Sequence, residues 1–295
     1  MKKIFLKAML TGMVIVSAGS VSGQILYKIE GNGLKSPSYV FGTHHVAPLS
    51  VAEQFGAIEP FNAATQIVGE IDMTQDQMAL ALALRPHMMA PADSTLSKVI
   101  SPEDMKVISV EFKKWAPMPG MELSMLEGMK PMVVSAMAVV GMCAESMPGF
   151  DPQAQLDSWF QTTGKAAGKT IIPLETAEQQ AVLLYDFTPI SVQAEALVDL
   201  LKDPEDAMEQ TKTLSDAYIK QDLKTMYDLS MKDDSHPEFM EAVLDRRNTD
   251  WLSTLPAIFE QGPTFVAVGA LHLAGDKGLI EGLKKAGYTV TPIQK

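Results

Sequence analysis

Two short motifs of one form, Gly-x-x-His, stand near opposite ends of the chain. Gly42-Thr43-His44-His45 closes the apolar run Ser38-Tyr39-Val40-Phe41, and Gly269-Ala270-Leu271-His272 closes Thr264-Phe265-Val266-Ala267-Val268. The chain has five histidines, so two in the same context are the first place to look for chemistry. Two other apolar runs end in acids: Glu70 and Asp72 follow Ile67-Val68-Gly69, and Glu175 follows Thr170-Ile171-Ile172-Pro173-Leu174. Imidazoles and carboxylates together suit a divalent metal such as zinc, manganese, iron or cobalt. A metal so held lowers the pKa of bound water and polarises a carbonyl, and a spare glutamate serves as general base. Arg246-Arg247-Asn248, ahead of the second motif, adds a cationic group suited to a carboxylate or an anionic intermediate.

Each of these residues has a plainer role open to it. A histidine just past a strand can simply bond backbone and hold a turn. Glu70 and Asp72 share one face of an alternating strand and would then lie on a solvated edge. Glu175 would be an acid at the positive end of the following helix, and the arginines would form a charged surface face. His44 points elsewhere than His45 if the backbone stays extended, which makes it a surface or supporting residue. His87 and His236, each beside a proline, read as loop residues. The methionines from Met118 to Met147 recur at helical spacing, and core packing explains them as well as soft-metal binding does.

The elements that must position these groups alternate between strand and helix. Strands are expected at Ile25–Ile29, at the first motif run, at Ile67–Asp72, at Thr170–Leu174, at the second motif run and at Tyr288–Ile293. The proline of the Thr170–Leu174 run predicts an edge or irregular position. Val51–Gln66, Gln155–Ala167 and a segment from about Asp276 to Ala286 have helical spacing. Residues 74 to 148 are helical throughout, with Ser101-Pro102-Glu103-Asp104 as a helix start. The expected fold class is α/β: a mixed, largely parallel sheet flanked by helices, with a long helical insertion. In such sheets functional groups collect beyond the carboxyl ends of the strands, where His45, Glu70, Glu175 and His272 would all stand.

The N-terminus reads as a separate unit. Lys2, Lys3 and Lys7 precede an apolar stretch from Ala8 to Ala18, and small residues lead to a cleavage position after Gly23. Residues 1–23 are therefore expected to be a signal peptide of an exported, periplasmic or extracellular protein. Residues 24–295 form one domain, with no membrane span once the signal is removed. The formal charge is −12, and about −15 without the three leader lysines. So acidic a chain is unsuited to nucleic acid. Cys143 is the one cysteine and lies in an apolar helical stretch, which predicts a buried, inert thiol.

The ordered set of these pieces resembles the TraB/GumN family, whose relatives include the Tiki metalloproteases. The resemblance runs from Ile29-Glu30-Gly31-Asn32-Gly33-Leu34 and Tyr39–His45 through Val68–Asp72, Leu156-Asp157-Ser158-Trp159-Phe160 and Leu174–Gln180. It continues to Arg247-Asn248, Phe265–His272, Gly278-Leu279 and Gly287-Tyr288. It implies a metal-dependent hydrolase acting on peptide or related amide bonds, with manganese or cobalt rather than zinc as the divalent metal. By that resemblance His45, His272, Glu70 and Glu175 hold the metal, while Glu70, Glu175, Arg247 and Asn248 belong to the catalytic set. Two positions depart from the family pattern. His44 stands where an apolar residue is usual, and Leu271 where a small one is common. The competing functions are a non-catalytic protein that binds metal, haem or a small ligand, and a metal-independent, esterase-like hydrolase.

Overall fold

The computed structural model describes residues 24–232 and 237–294. The expected leader (1–23) and His236 lie outside these residues. Six strands form one mixed sheet: β1 (Leu26–Gly31), β2 (Ser38–Thr43), β3 (Gln66–Gly69), β4 (Thr170–Pro173), β5 (Thr264–Gly269) and β6 (Tyr288–Pro292). Their spatial order is β4-β3-β5-β2-β1-β6. The first four are mutually parallel, and β1 pairs antiparallel with β2 and β6. The fold is therefore α/β with a largely parallel sheet, and Pro173 does lie on an edge strand.

β3 and β5 read as near-continuous apolar runs because helices cover both faces of this part of the sheet. Phe41, Phe61, Phe160 and Phe265 pack together in this core, with contacting ring centroids 4.8 to 6.1 Å apart. Gly164 of the helix Leu156–Ala166 lets that helix close on β3, since a Cβ there would come within 2.7 Å of Ile67. A second core lies in the helical part of the chain. It joins Leu96, Ile108, Phe112, Val134 and Ala138 with Leu197 and Leu201. The insertion between β3 and β4 is thus completed by the helix Ile190–Lys202, which follows β4.

Some elements differ from their sequence expectation, each for a local reason. The span Val51–Gln66 forms two short helices, Val51–Gln54 and Ile58–Ala63, separated at Gly56 with a φ of +77°. Gln66 already belongs to β3. That strand ends at Gly69 rather than Asp72, because the Gln161 amide takes both the Ile71 carbonyl (3.0 Å) and the Met73 N–H (2.9 Å). Asp72 then accepts from the Thr74 N–H and hydroxyl and closes a local turn. His87 is not a loop residue: it sits in the helix Gln77–Met88 and bonds Asp186 at 2.5 Å. Ser101 caps its helix as its sequence context predicts. Cys143 is buried, which pushes its thiol pKa up to about 11. Met142 packs within the second core and Met121, Met129 and Met137 pack against it. Among the described residues no single helix is long and apolar enough to cross a membrane.

Candidate functional site

The carboxyl ends of the four parallel strands lie at one end of the sheet, with Thr43 opposite Gly269 and Gly69 opposite Pro173. The residues just beyond them are His45, His272, Glu70 and Glu175. Neither motif glycine is needed for a left-handed backbone, since neither has a positive φ. Each is needed for close approach. A Cβ on Gly42 would lie 2.9 Å from the Ala270 Cα, so the two Gly-x-x-His motifs pack directly on one another. A Cβ on Gly269 would sit 3.3 Å from Glu70 Oε1, the oxygen that accepts the Gly269 N–H at 2.9 Å.

His272 lies in the tight turn Ala270–Leu273 and is buried. The Asn248 amide nitrogen donates to the carbonyls of His272 and Lys277, so its oxygen must accept from His272 Nδ1–H at 2.8 Å. That leaves Nε2 unprotonated, and it accepts from Arg247 Nη1 at 3.0 Å. Burial, opposed by Glu70 and assisted by Arg247 and His45, lowers the His272 pKa to about 3. The indole of Trp251 underlies both groups, 4.3 Å from the imidazole centroid and 4.6 Å from the guanidinium carbon.

Arg247 is the hub. Its Nη2 donates to Glu70 Oε2 (2.5 Å) and Glu175 Oε1 (2.6 Å), and its Nε to Glu175 Oε2 (3.0 Å). Nη1 serves His272 and the Val243 carbonyl. All five N–H donors of the guanidinium are engaged inside the cluster. The amide of Gln180 ties the two carboxylates together from the other side, at 3.0 and 3.1 Å. Burial raises the Glu70 pKa, but His272, Arg247 and the Gly269 N–H outweigh it and hold the carboxyl at about 2. Near neutral pH His272 is uncharged, so Arg247 supplies that pull. The wide π turn Glu241–Arg246 ends where Arg247 begins, a distortion that recurs at functional sites.

His45 differs from His272 in every respect. Its side chain is 70% exposed, and its Nδ1 lies 3.4 Å from Asp157 Oδ2. Asp157 is itself buried in the first turn of the helix Leu156–Ala166. Thr43 Oγ1 donates to Asp157 Oδ1 at 2.6 Å, while Oδ2 is buried without a hydrogen-bond partner. The Asp157 carboxylate raises the His45 pKa to about 9. The neighbouring His44 turns away, to Ser215 Oγ at 2.9 Å and the Tyr218 ring, and burial lowers its pKa to about 3.

The sequence pattern of the TraB/PrgY/gumN family matches residues 25–292. The chain belongs to this family. Comparison with curated proteins and with solved structures gave no match. Of the TraB/GumN-type residues carried over from the motifs, the structure joins Glu70, Glu175, Arg247, Asn248 and His272 in one bonded cluster. His45 stands beside it, held by Asp157. The donor types suit manganese or cobalt, but the arrangement does not: Glu70, Glu175 and His272 all converge on Arg247. Among the described residues, no three His, Cys, Asp or Glu side chains surround a point that a metal ion could take. Asp157, Gln180 and Trp251 complete the site and escape sequence reasoning. The available signals were an acid inside the Leu156–Phe160 phrase, a glutamine closing Leu174–Gln180, and a tryptophan one helical turn after Arg247.

Proposed function

We propose that the chain is a hydrolase of peptide or related amide bonds in which His45 is the reacting imidazole. The reading of residues 1–23 as an export signal belongs to the same proposal. The observation that carries it is the His45–Asp157 pair: an exposed ring at the strand ends beside a buried carboxylate oxygen that lacks any other partner. An acid at Nδ1 fixes the tautomer and orientation of an imidazole, which leaves Nε2 for a substrate. The Asp157 carboxylate favours the protonated ring, and in that form His45 is suited to hydrogen-bonding a carbonyl oxygen and giving a proton to the leaving amine. Glu70 Oε1, the carboxylate oxygen not bound by Arg247, orients the attacking water and accepts its proton, which passes back to His45 by way of solvent once the amine has left with the proton His45 gave it.

Arg247 and Asn248 act in this reading by position. Arg247 has no N–H left for an oxyanion, so it holds Glu70, Glu175 and His272 in place. Asn248 fixes the His272 ring. Incubating the purified full chain with peptides, aryl amides and aryl esters, in chelator and with manganese or cobalt added, tests the assignment by mass analysis of the products. Amide cleavage in chelator is the expected result. Cleavage of esters alone would move the chain to the esterase-like class. Amide cleavage only with added metal would replace the His45–Asp157 chemistry by a metal-dependent one. No product under any condition would favour a binding protein.

A further inference from the structure

The helix Gln77–Met88 is apolar along most of its length yet buries none of its side chains. Leu80 and Leu84, on one side, are half-buried, while Met78 and Leu82, on the opposite side, are 69% and 61% exposed. A helix that is apolar on both sides is ordinarily buried. This one packs against the short helix Ala177–Ala181 and the π turn Val182–Asp186. It and Ala177–Ala181 begin just beyond the paired strands β3 and β4, and at the far end His87 and Lys130 both bond Asp186. The two segments therefore run side by side away from the site, and Gln180 of the second bonds Glu70 and Glu175. Bonds between charged groups thus fix the helix beside the site while its outer apolar side stays in solvent.

Arg85 stands one turn beyond Leu82 on that outer side. It is exposed and makes no ion pair among the described residues. In a chain of formal charge −12, a free cation in line with two exposed apolar side chains is complementary to an apolar segment that carries a carboxylate. From Met78 to Arg85 the helix rises about 10 Å, the length of about three extended residues. Three side chains present far less than the roughly 800 Å² per partner that a stable protein interface buries. The size and charge of this face suit a short stretch of peptide rather than a folded partner or a second copy of the chain.

We propose that Met78, Leu82 and Arg85 form a binding face for a substrate polypeptide, taking apolar side chains near the strand ends and an acidic residue farther out. The inference rests on the hydrolase reading and deepens it, because it names the kind of peptide that the site receives.

Fluorescence anisotropy tests it with the full chain and a fluorescein-labelled peptide containing Leu-Ala-Leu-Glu, checked intact by mass analysis. Peptides with Ser-Ala-Ser-Glu or Leu-Ala-Leu-Lys in the same place are the controls. The native chain is expected to bind the first at least about tenfold more tightly than either control. Leu82→Ser should lose that gain, and Arg85→Glu should reverse the preference between Glu and Lys. Both residues are exposed, so the variants keep the fold, which circular dichroism checks. Absence of binding, equal binding of all three peptides, or unchanged binding in the folded variants would overturn the proposal. So would a native dimer that Leu82→Ser dissociates, since a second copy would then cover the face. Amide cleavage with no such preference would remove this face and leave the hydrolase, whereas selective binding without cleavage would do the reverse.

Discussion

Glu70 and His272 make the cluster acid-sensitive through two different protonations. The Glu70 carboxyl titrates near 2 in the folded chain against an ordinary 4.5. Its ionised form therefore stabilises the fold above pH 4.5, and that contribution disappears as pH falls towards 2. His272 titrates near 3 against an ordinary 6.5, so the unfolded chain takes up its proton first and stability falls with pH below 6.5. Both effects have the same sign. Urea denaturation across pH 7 to 3 should show a falling midpoint, and Glu70→Gln should flatten the part below pH 4.5 while lowering stability at pH 7. An unchanged slope in Glu70→Gln would mean that Arg247 does not hold that carboxylate. The identities of the cluster members were legible in the sequence as chemistry-bearing residues at strand ends and in a helix. Their bonding was not, because nothing in the spacing says that Arg247 lies between the acids and His272. Nor does it say that Asp157, over a hundred residues from His45, is the acid beside that ring.

The strands and the turns that follow them explain why the two motifs share a spelling. Gly42 has no room for a side chain because the Ala270 backbone of the other motif rests on it. A neighbour made of backbone cannot swing aside as a flexible side chain would. Gly42→Ala should therefore cost about 1–3 kcal/mol, the range for overpacking a well-packed interior, as a lower midpoint in chemical denaturation. Equal stability would show that the motifs do not touch. The parallel strands were legible because their apolar runs are continuous and bounded by turn residues. The end of β3 was not: the alternation extends to Asp72, but Gln161 of a distant helix captures the chain at Ile71 and Met73. The single helix expected over Val51–Gln66 failed at a glycine in the left-handed region, where backbone freedom outweighs the periodicity around it.

At the scale of the whole molecule, the sheet and its helices form one core and the helical segments form another. The site belongs to the first, at the carboxyl ends of adjacent parallel strands, where α/β sheets gather their chemistry. A buried, fully bonded cluster of Glu70, Glu175, Arg247, Asn248 and His272 forms its floor, and His45 with Asp157 forms the part that meets solvent. On the proposed reading, turnover rests on that one exposed imidazole. The most direct test is the rate of amide cleavage by the native chain and by His45→Asn, in chelator, with folding verified by circular dichroism. Loss of a general acid–base group predicts a fall in kcat of about 10²- to 10⁴-fold. A folded His45→Asn chain that cleaves at the native rate would contradict the assignment.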